Sequence, residues 1–171
     1  MAPTAIAAVD AMDRATFISE LGPVVEHSPW VAESAWDQRP FGSPERLHLA
    51  FDIAIRTAPP GRRMEVLHAH PELAGREAAA GELSGASAAE QRAARLDRLS
   101  ADELARLRAI NASYRERFGF PFISCVGEHS VASLLAWGDA RLERDTEAEA
   151  ATALAEVGKI IGLRLRQRVG A

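Results

Sequence analysis

Two histidines stand one residue apart in HAHPELAG, residues 68 to 75, and Pro71 follows the second at once. Imidazoles so placed could bind a metal ion, move protons, or do no more than end a helix. The upstream run RRMEVLHAH predicts a helix, because Met64, Leu67 and Ala69 recur at roughly helical spacing and no breaker comes before Pro71. On a helix, residues two apart point in very different directions. His68 and His70 therefore cannot easily share one ion while both are helical, although a residue preceding proline is pushed out of the α region and could turn back. No HExxH, CxxC or Cys/His ladder elsewhere would complete such a set, so no metal is expected. Taken alone, His70 reads as a polar residue at a helix junction, with Pro71 starting the next helix and Glu72 favoured in its first turn.

Other chemistry-bearing side chains are equally ordinary one by one. Glu90 lies three residues after Ser87, the spacing of a capping box. Arg164 shares a helical stripe with Leu154, Val157 and Ile161, and by itself reads as a cation snorkelling from the core edge towards an acid such as Glu156 or Asp145. GASAA, residues 85 to 89, lacks the second glycine of a phosphate loop, and no nucleophile elbow occurs, so covalent serine catalysis is not expected.

The elements that must position these residues are helices. Ser43-Pro44-Glu45 opens LHLAFDIAIRTA with proline at the first helical position, and Pro59-Pro60 closes it. Ser87 with Glu90, Ser100 with Glu103 and Thr146 with Glu149 each match a capped helix start. In ADELARLRAINASYRERF, Leu104, Leu107, Asn111, Tyr114 and Phe118 follow one another by three or four and form a core-facing stripe that ends at Gly119. FPFISCV, residues 120 to 126, has β-like composition, but Pro121 and its isolation favour a buried extended loop. A last helix runs from about Thr146 to Arg168. The fold class is all-α, one domain over residues 1–171, with the first ten or so residues expected to be flexible.

Composition bounds the function. A chain of 171 residues that is 47% hydrophobic suits one domain with a real core. Twenty basic residues against 24 acidic ones give a net charge of −4, which argues against nucleic acid as a partner. Cys125 is the single cysteine, so no disulfide can form within the chain, and a reducing compartment is expected. The start MAPTAIAAVDAMDRAT lacks the pattern of a signal peptide, and no run approaches the ~18 apolar residues of a membrane span; a cytoplasmic protein without a membrane partner is expected. Lys159 is the only lysine and reads as solvated, which leaves little scope for Schiff-base chemistry.

Together, SPWVAESAW near the N-terminus, HPELAG at 70–75, SAAEQ at 87–91, NASYRERFGFPFISCV at 111–126 and the C-terminal ALAEVGKIIGLRL resemble the 2-oxo-4-hydroxy-4-carboxy-5-ureidoimidazoline (OHCU) decarboxylases of urate degradation. The resemblance extends from about Phe17 to Leu165, and the order of the HPxLAG, SxxEQ and RFGFPF blocks makes it specific. It implies an all-α homodimer that converts OHCU to (S)-allantoin without metal or organic cofactor. By position it implies His70, Glu90 and Arg164 as catalytic, with Pro71, Ser87, Gln91 and the backbone of Phe122, Ile123, Ser124, Cys125 and Val126 contacting substrate. Arg95 stands where the family commonly has glycine, and Glu128-His129 where a basic residue and glycine often follow. These departures keep a second expectation open, a family member that binds a purine-derived metabolite without turning it over. A helical module for an acidic partner and a metal-dependent hydrolase using His68, His70 and Glu72 rank behind it.

The chemistry implied is modest in its demands. Loss of CO2 leaves an electron pair that the conjugated imidazoline ring can accept, so the substrate is its own electron sink. The protein must stabilise the developing charge and deliver one proton to one face. An imidazole suits that transfer, and Glu90 and Gln91 can exchange hydrogen bonds with a ureido group. A tight clamp of Arg164 on the departing carboxylate would stabilise the ground state, so bonds to oxygens that gain charge, or to a non-reacting group, are favoured.

Overall fold

The computed structural model describes residues 3–170; most of them are helical, and their only strands are two pairs of residues. In chain order the elements are β1 (Thr4–Ala5), α1 (Ile6–Asp10), α2 (Arg14–Leu21), α3 (Pro29–Trp36), α4 (Pro44–Thr57) and α5 (Pro60–His68). Then come α6 (Arg76–Ala80), α7 (Gly85–Ala93), α8 (Ala101–Phe118), α9 (Val131–Leu142), α10 (Thr146–Arg168) and β2 (Val169–Gly170). Residues 121–125 belong to neither helix nor strand and are buried, a buried loop as their composition and Pro121 predict. Among the described residues, no helix is long and apolar enough to cross a membrane. The chain clusters into two compact units, one formed by residues up to Ala69 together with those from Gly158 onward, the other by His70–Val157.

In the first unit, capping sets the helix starts. Asp13 accepts the Thr16 N–H at 2.8 Å, and Ser43 accepts the Arg46 N–H at 3.3 Å with Pro44 in the first turn. The interior of α2, α3 and α4 centres on Phe17, whose ring lies 5.3 Å from Trp36, 5.7 Å from Phe41 and 6.4 Å from Phe51. α4 buries Leu47, Ala50, Phe51, Ala54 and Ile55, three or four residues apart, so a single face is apolar. The C-terminal part of α10 approaches α4 closely: His48 Nε2 lies 2.8 Å from the Gly158 carbonyl oxygen. A Cβ at Gly162 would come within 2.6 Å of His48 Cε1, so a larger residue there would have to displace the His48 ring. β1 and β2 pair in parallel, Thr4 opposite Val169, and Val9 of α1 is fully buried.

In the second unit, α8 carries the predicted capping box: Glu103 accepts the Ser100 N–H at 2.8 Å and Ser100 accepts the Glu103 N–H at 3.2 Å. The helix ends at Gly119, whose φ of +79° is the left-handed conformation glycine adopts without cost. Leu107, Asn111, Tyr114 and Phe118 of the expected stripe are buried, and Leu104 is half-buried at its start. Tyr114 meets Phe118 at 5.0 Å and Phe122 at 5.1 Å, which ties the segment after Gly119 to α8. α8 also packs on α9.

Three local expectations are corrected. Pro71 does not start a helix; residues 71–75 turn, and α6 begins only at Arg76 because side chains from α7 and α8 bond the intervening backbone. Ser87 is not a cap, since α7 starts three residues earlier with Ser84 accepting the Ser87 N–H at 3.2 Å. At α10 the cap is Asp145, whose Oδ1 accepts the Ala148 N–H at 2.8 Å, while Glu149 is drawn into a buried ion pair.

Arg95, just after α7, has a φ of +60°. That conformation costs a non-glycine residue about 1–2 kcal/mol, offset in part by glycine's larger unfolded-state freedom. The Arg95→Gly variant is therefore expected to be more stable by about 0.5–1 kcal/mol, a rise in Tm of roughly 1–4 °C for a chain of this size. Calorimetry checks it, and a fall in Tm would show that the arginine side chain contributes more than its backbone costs.

Candidate active site

α5 ends at His68, and the Ala69 N–H still bonds back to the Glu65 carbonyl at 2.9 Å. His68 is exposed and His70 is 8% exposed, so the two rings, two residues apart in the chain, occupy different environments. Among the described residues no group of three or more His, Cys, Asp or Glu side chains could hold a metal. His70 opens the second unit and runs directly into the turn Pro71–Gly75.

α7 supplies the polar side chains around that turn. Ser87 and Gln91, four apart and therefore on one face, are 5% and 6% exposed, with Glu90 half-buried beside them. Buried polar groups on one helix face need partners, and Gln91 finds two: its Oε1 accepts the Ala74 N–H at 2.9 Å and its Nε2 donates to the Glu72 carbonyl at 3.4 Å. α7 also packs on the 3₁₀ turn Val126–Glu128 that ends the FISCV segment. The structure thus brings Gln91 onto the turn after His70, and α7 onto the end of the segment carrying Phe122 to Val126.

The FISCV segment is held by Arg141, which the sequence reading did not single out, and by Glu149 and Glu156, to which it gave other roles. Arg141 is fully buried; its Nη1 donates to the Ile123 carbonyl at 2.6 Å and its Nε to Glu149 Oε1 at 3.0 Å. Tyr114 donates its hydroxyl to the same Glu149 oxygen at 3.0 Å, and burial pushes the phenol well above its ordinary range, which keeps it a donor. Glu156 accepts the Cys125 N–H at 2.7 Å and the Ser124 hydroxyl at 3.4 Å. The Cys125 N–H, one of the backbone groups the resemblance assigns to substrate, is thus committed to Glu156. A sequence signal for Arg141 exists: Leu134, Gly138 and Arg141 follow by four and three on the buried face of α9.

Arg164 lies in the first unit, 3% exposed, with Val157 and Ile161 of its expected stripe also buried. Among its partners is Glu26, on a segment distant in the chain. Nη1 lies 2.9 Å from Glu26 Oε1 and donates to the Val24 carbonyl at 3.2 Å. Glu26 is itself only 5% exposed, so this is a buried pair in which each charge depends on the other.

The fold and these residues define an all-α protein with a buried polar cluster built onto the turn after one histidine. A family model described as OHCU decarboxylase matches residues 10–166. The 2-oxo-4-hydroxy-4-carboxy-5-ureidoimidazoline decarboxylase of Haloferax volcanii is 39% identical over 160 residues, covering 94% of this chain and 93% of that one. Its counterpart in Mus musculus is 40% identical over 163 residues, covering 95% and 92%. Among solved structures, an OHCU decarboxylase crystallised in the presence of (S)-allantoin matches with a TM-score of 0.67 and 26% identity, over 83% of this chain and 92% of that chain. An (S)-allantoin synthase matches with a TM-score of 0.74 and 26% identity over 95% of this chain, which spans about half (53%) of that chain's length. The chain belongs to the OHCU decarboxylase family.

Proposed function

We propose that this protein decarboxylates OHCU to (S)-allantoin without a cofactor, and that His70 handles the proton. The reading is supported by family membership and by one observation in particular: the only histidine in HPELAG is buried, at a turn that α7 grips through its polar face. In the reaction the carbon–carbon bond to the carboxylate breaks and CO2 leaves. The electron pair moves through the ring C=N unit onto its nitrogen, which takes a proton from solvent, and two further proton movements complete the reaction: the hydroxyl proton departs as the ring carbonyl forms, and one proton is added to the ureido-bearing carbon. His70 is assigned to one of the two proton movements, and Glu90 and Arg164 to the charge that builds on the substrate. Pro71, Ser87 and the backbone of Phe122 to Val126 line the substrate. The functional unit is the whole chain as one domain, acting as a cytoplasmic homodimer with neither nucleic acid nor membrane as partner.

The test uses OHCU generated in place by urate oxidase and hydroxyisourate hydrolase. Spontaneous decay has no fixed proton donor and gives racemic allantoin. With this protein, a lasting circular-dichroism signal of (S)-allantoin is expected, its initial rate proportional to protein concentration. If folded protein leaves the decay rate and the optical activity at the uncatalysed level, the decarboxylase reading is lost.

A further inference from the structure

The backbone from Phe122 to Cys125 lies outside any helix or strand, so no ladder satisfies its polar groups. Two buried charges take hold of it instead. Arg141 Nη1 donates to the Ile123 carbonyl at 2.6 Å, and Glu156 Oε2 accepts the Cys125 N–H at 2.7 Å. Arg141 is itself fixed. Its Nε and Nη2 both donate to Glu149 Oε1, and its guanidinium faces the rings of Phe122 at 5.1 Å and Trp137 at 5.5 Å. Between the two gripped groups stands the Ser124 N–H, which shares a planar trans peptide with the Ile123 carbonyl and therefore points away from Arg141. Ser124 is 2% exposed, and among the described residues its N–H meets no acceptor. A buried donor of that kind is rare, and a bound ligand would satisfy it.

We infer that Arg141 is a positioning residue for substrate binding: by holding the Ile123 carbonyl it aims the Ser124 N–H at an oxygen of the bound substrate. The inference rests on the reading that the backbone of this segment lines the substrate, and it adds a side chain to which that reading gives no role. A guanidinium bonded to the carbonyl also polarises the peptide, which makes the N–H on its other side a stronger donor. Stability offers no competing reason for the charge, because a buried ion pair is often no better for folding than apolar side chains of similar volume. A methionine could occupy the space between the Phe122 and Trp137 rings. It would leave the Ile123 carbonyl without its donor.

The test measures OHCU turnover by full-length variants, with circular dichroism confirming the fold of each. In Tyr114→Phe/Arg141→Met/Glu149→Leu the linked polar groups go together, no charge is stranded, and Tm stays within a few degrees of wild type. Its KM is expected to rise roughly 5–10-fold with kcat within about threefold, the loss of one hydrogen bond made equally in ground and transition states. Arg141→Lys keeps the charge beside Glu149 but lacks the fork that serves carboxylate and carbonyl at once, and it shows the same rise. Tyr114→Phe alone removes the hydroxyl bond to Glu149 and lowers Tm, yet leaves KM within about twofold because Arg141 still holds Ile123. In isotope-labelled wild type, excess (S)-allantoin shifts the Ser124 amide resonance; if neither Arg141 variant folds, that resonance decides. An unchanged KM in either folded Arg141 variant, a fall in kcat alone, or a Ser124 amide indifferent to (S)-allantoin overturns the inference. The underlying reading fails separately, when wild type makes no (S)-allantoin from OHCU.

Discussion

His70→Ala is expected to lower kcat by about 10²–10⁴-fold, the range general acid–base groups contribute, while the protein stays folded. The side chain is only 8% exposed, yet it sits in a turn outside any helix, so no apolar helix face is disrupted by its loss. Far-ultraviolet circular dichroism should match wild type, with Tm lower by no more than a few degrees. The allantoin that still forms should be racemic, since background decay then dominates. His68→Ala provides the contrast: that ring is exposed at the end of α5, and its removal should leave kcat/KM within about twofold, in line with the small effects of surface substitutions. Near-wild-type turnover by a folded His70→Ala protein removes the catalytic assignment outright.

Arg164→Lys is expected to lose at least about 10²-fold in kcat/KM despite conserving charge, because hydrogen bonds to charged groups contribute roughly 1.5–3 kcal/mol each. In wild type, a single nitrogen of the guanidinium reaches both Glu26 Oε1, at 2.9 Å, and the Val24 carbonyl, at 3.2 Å. Lysine has one nitrogen on a differently shaped stem and cannot keep that geometry while presenting a planar fork to a second group. It still neutralises Glu26, so the chain should fold, which separates the loss of chemistry from the loss of a buried charge. Arg164→Met should do worse, removing the cation beside a carboxylate that is 5% exposed, and is expected to unfold several degrees earlier. Retention of full kcat/KM by Arg164→Lys would make a multidentate role untenable.

Much of the helical framework was legible from local signals. The capping box of Ser100 and Glu103, the proline after Ser43 and the glycine at 119 depend on residues within a few positions of one another, and each marks its boundary in the structure. The capping spacings at Ser87/Glu90 and Thr146/Glu149 misled because spacing alone cannot say whether a glutamate is needed elsewhere. Glu149 pairs with Arg141, eight residues before it, and helix α7 begins one turn sooner at Ser84. Local chemistry offers the same short motif in each case, and only the surroundings select its use.

The sequence by itself determined an all-α chain, the stripes that bury Leu107, Tyr114, Phe118, Val157 and Ile161, the buried loop at FPFISC, and the family to which the chain belongs. Those follow from periodicity, proline placement and ordered motifs, all properties of neighbouring residues. Tertiary structure alone decided the partners of the buried polar groups: Glu26 for Arg164, Glu149 and the Ile123 carbonyl for Arg141, Glu156 for the Cys125 N–H, and the turn at Glu72–Ala74 for Gln91 and Asn111. The Arg164, Cys125 and Asn111 contacts join residues 138, 31 and 38 positions apart respectively. A buried donor or acceptor must be satisfied, but nothing in its local sequence names the group that packing will carry to it.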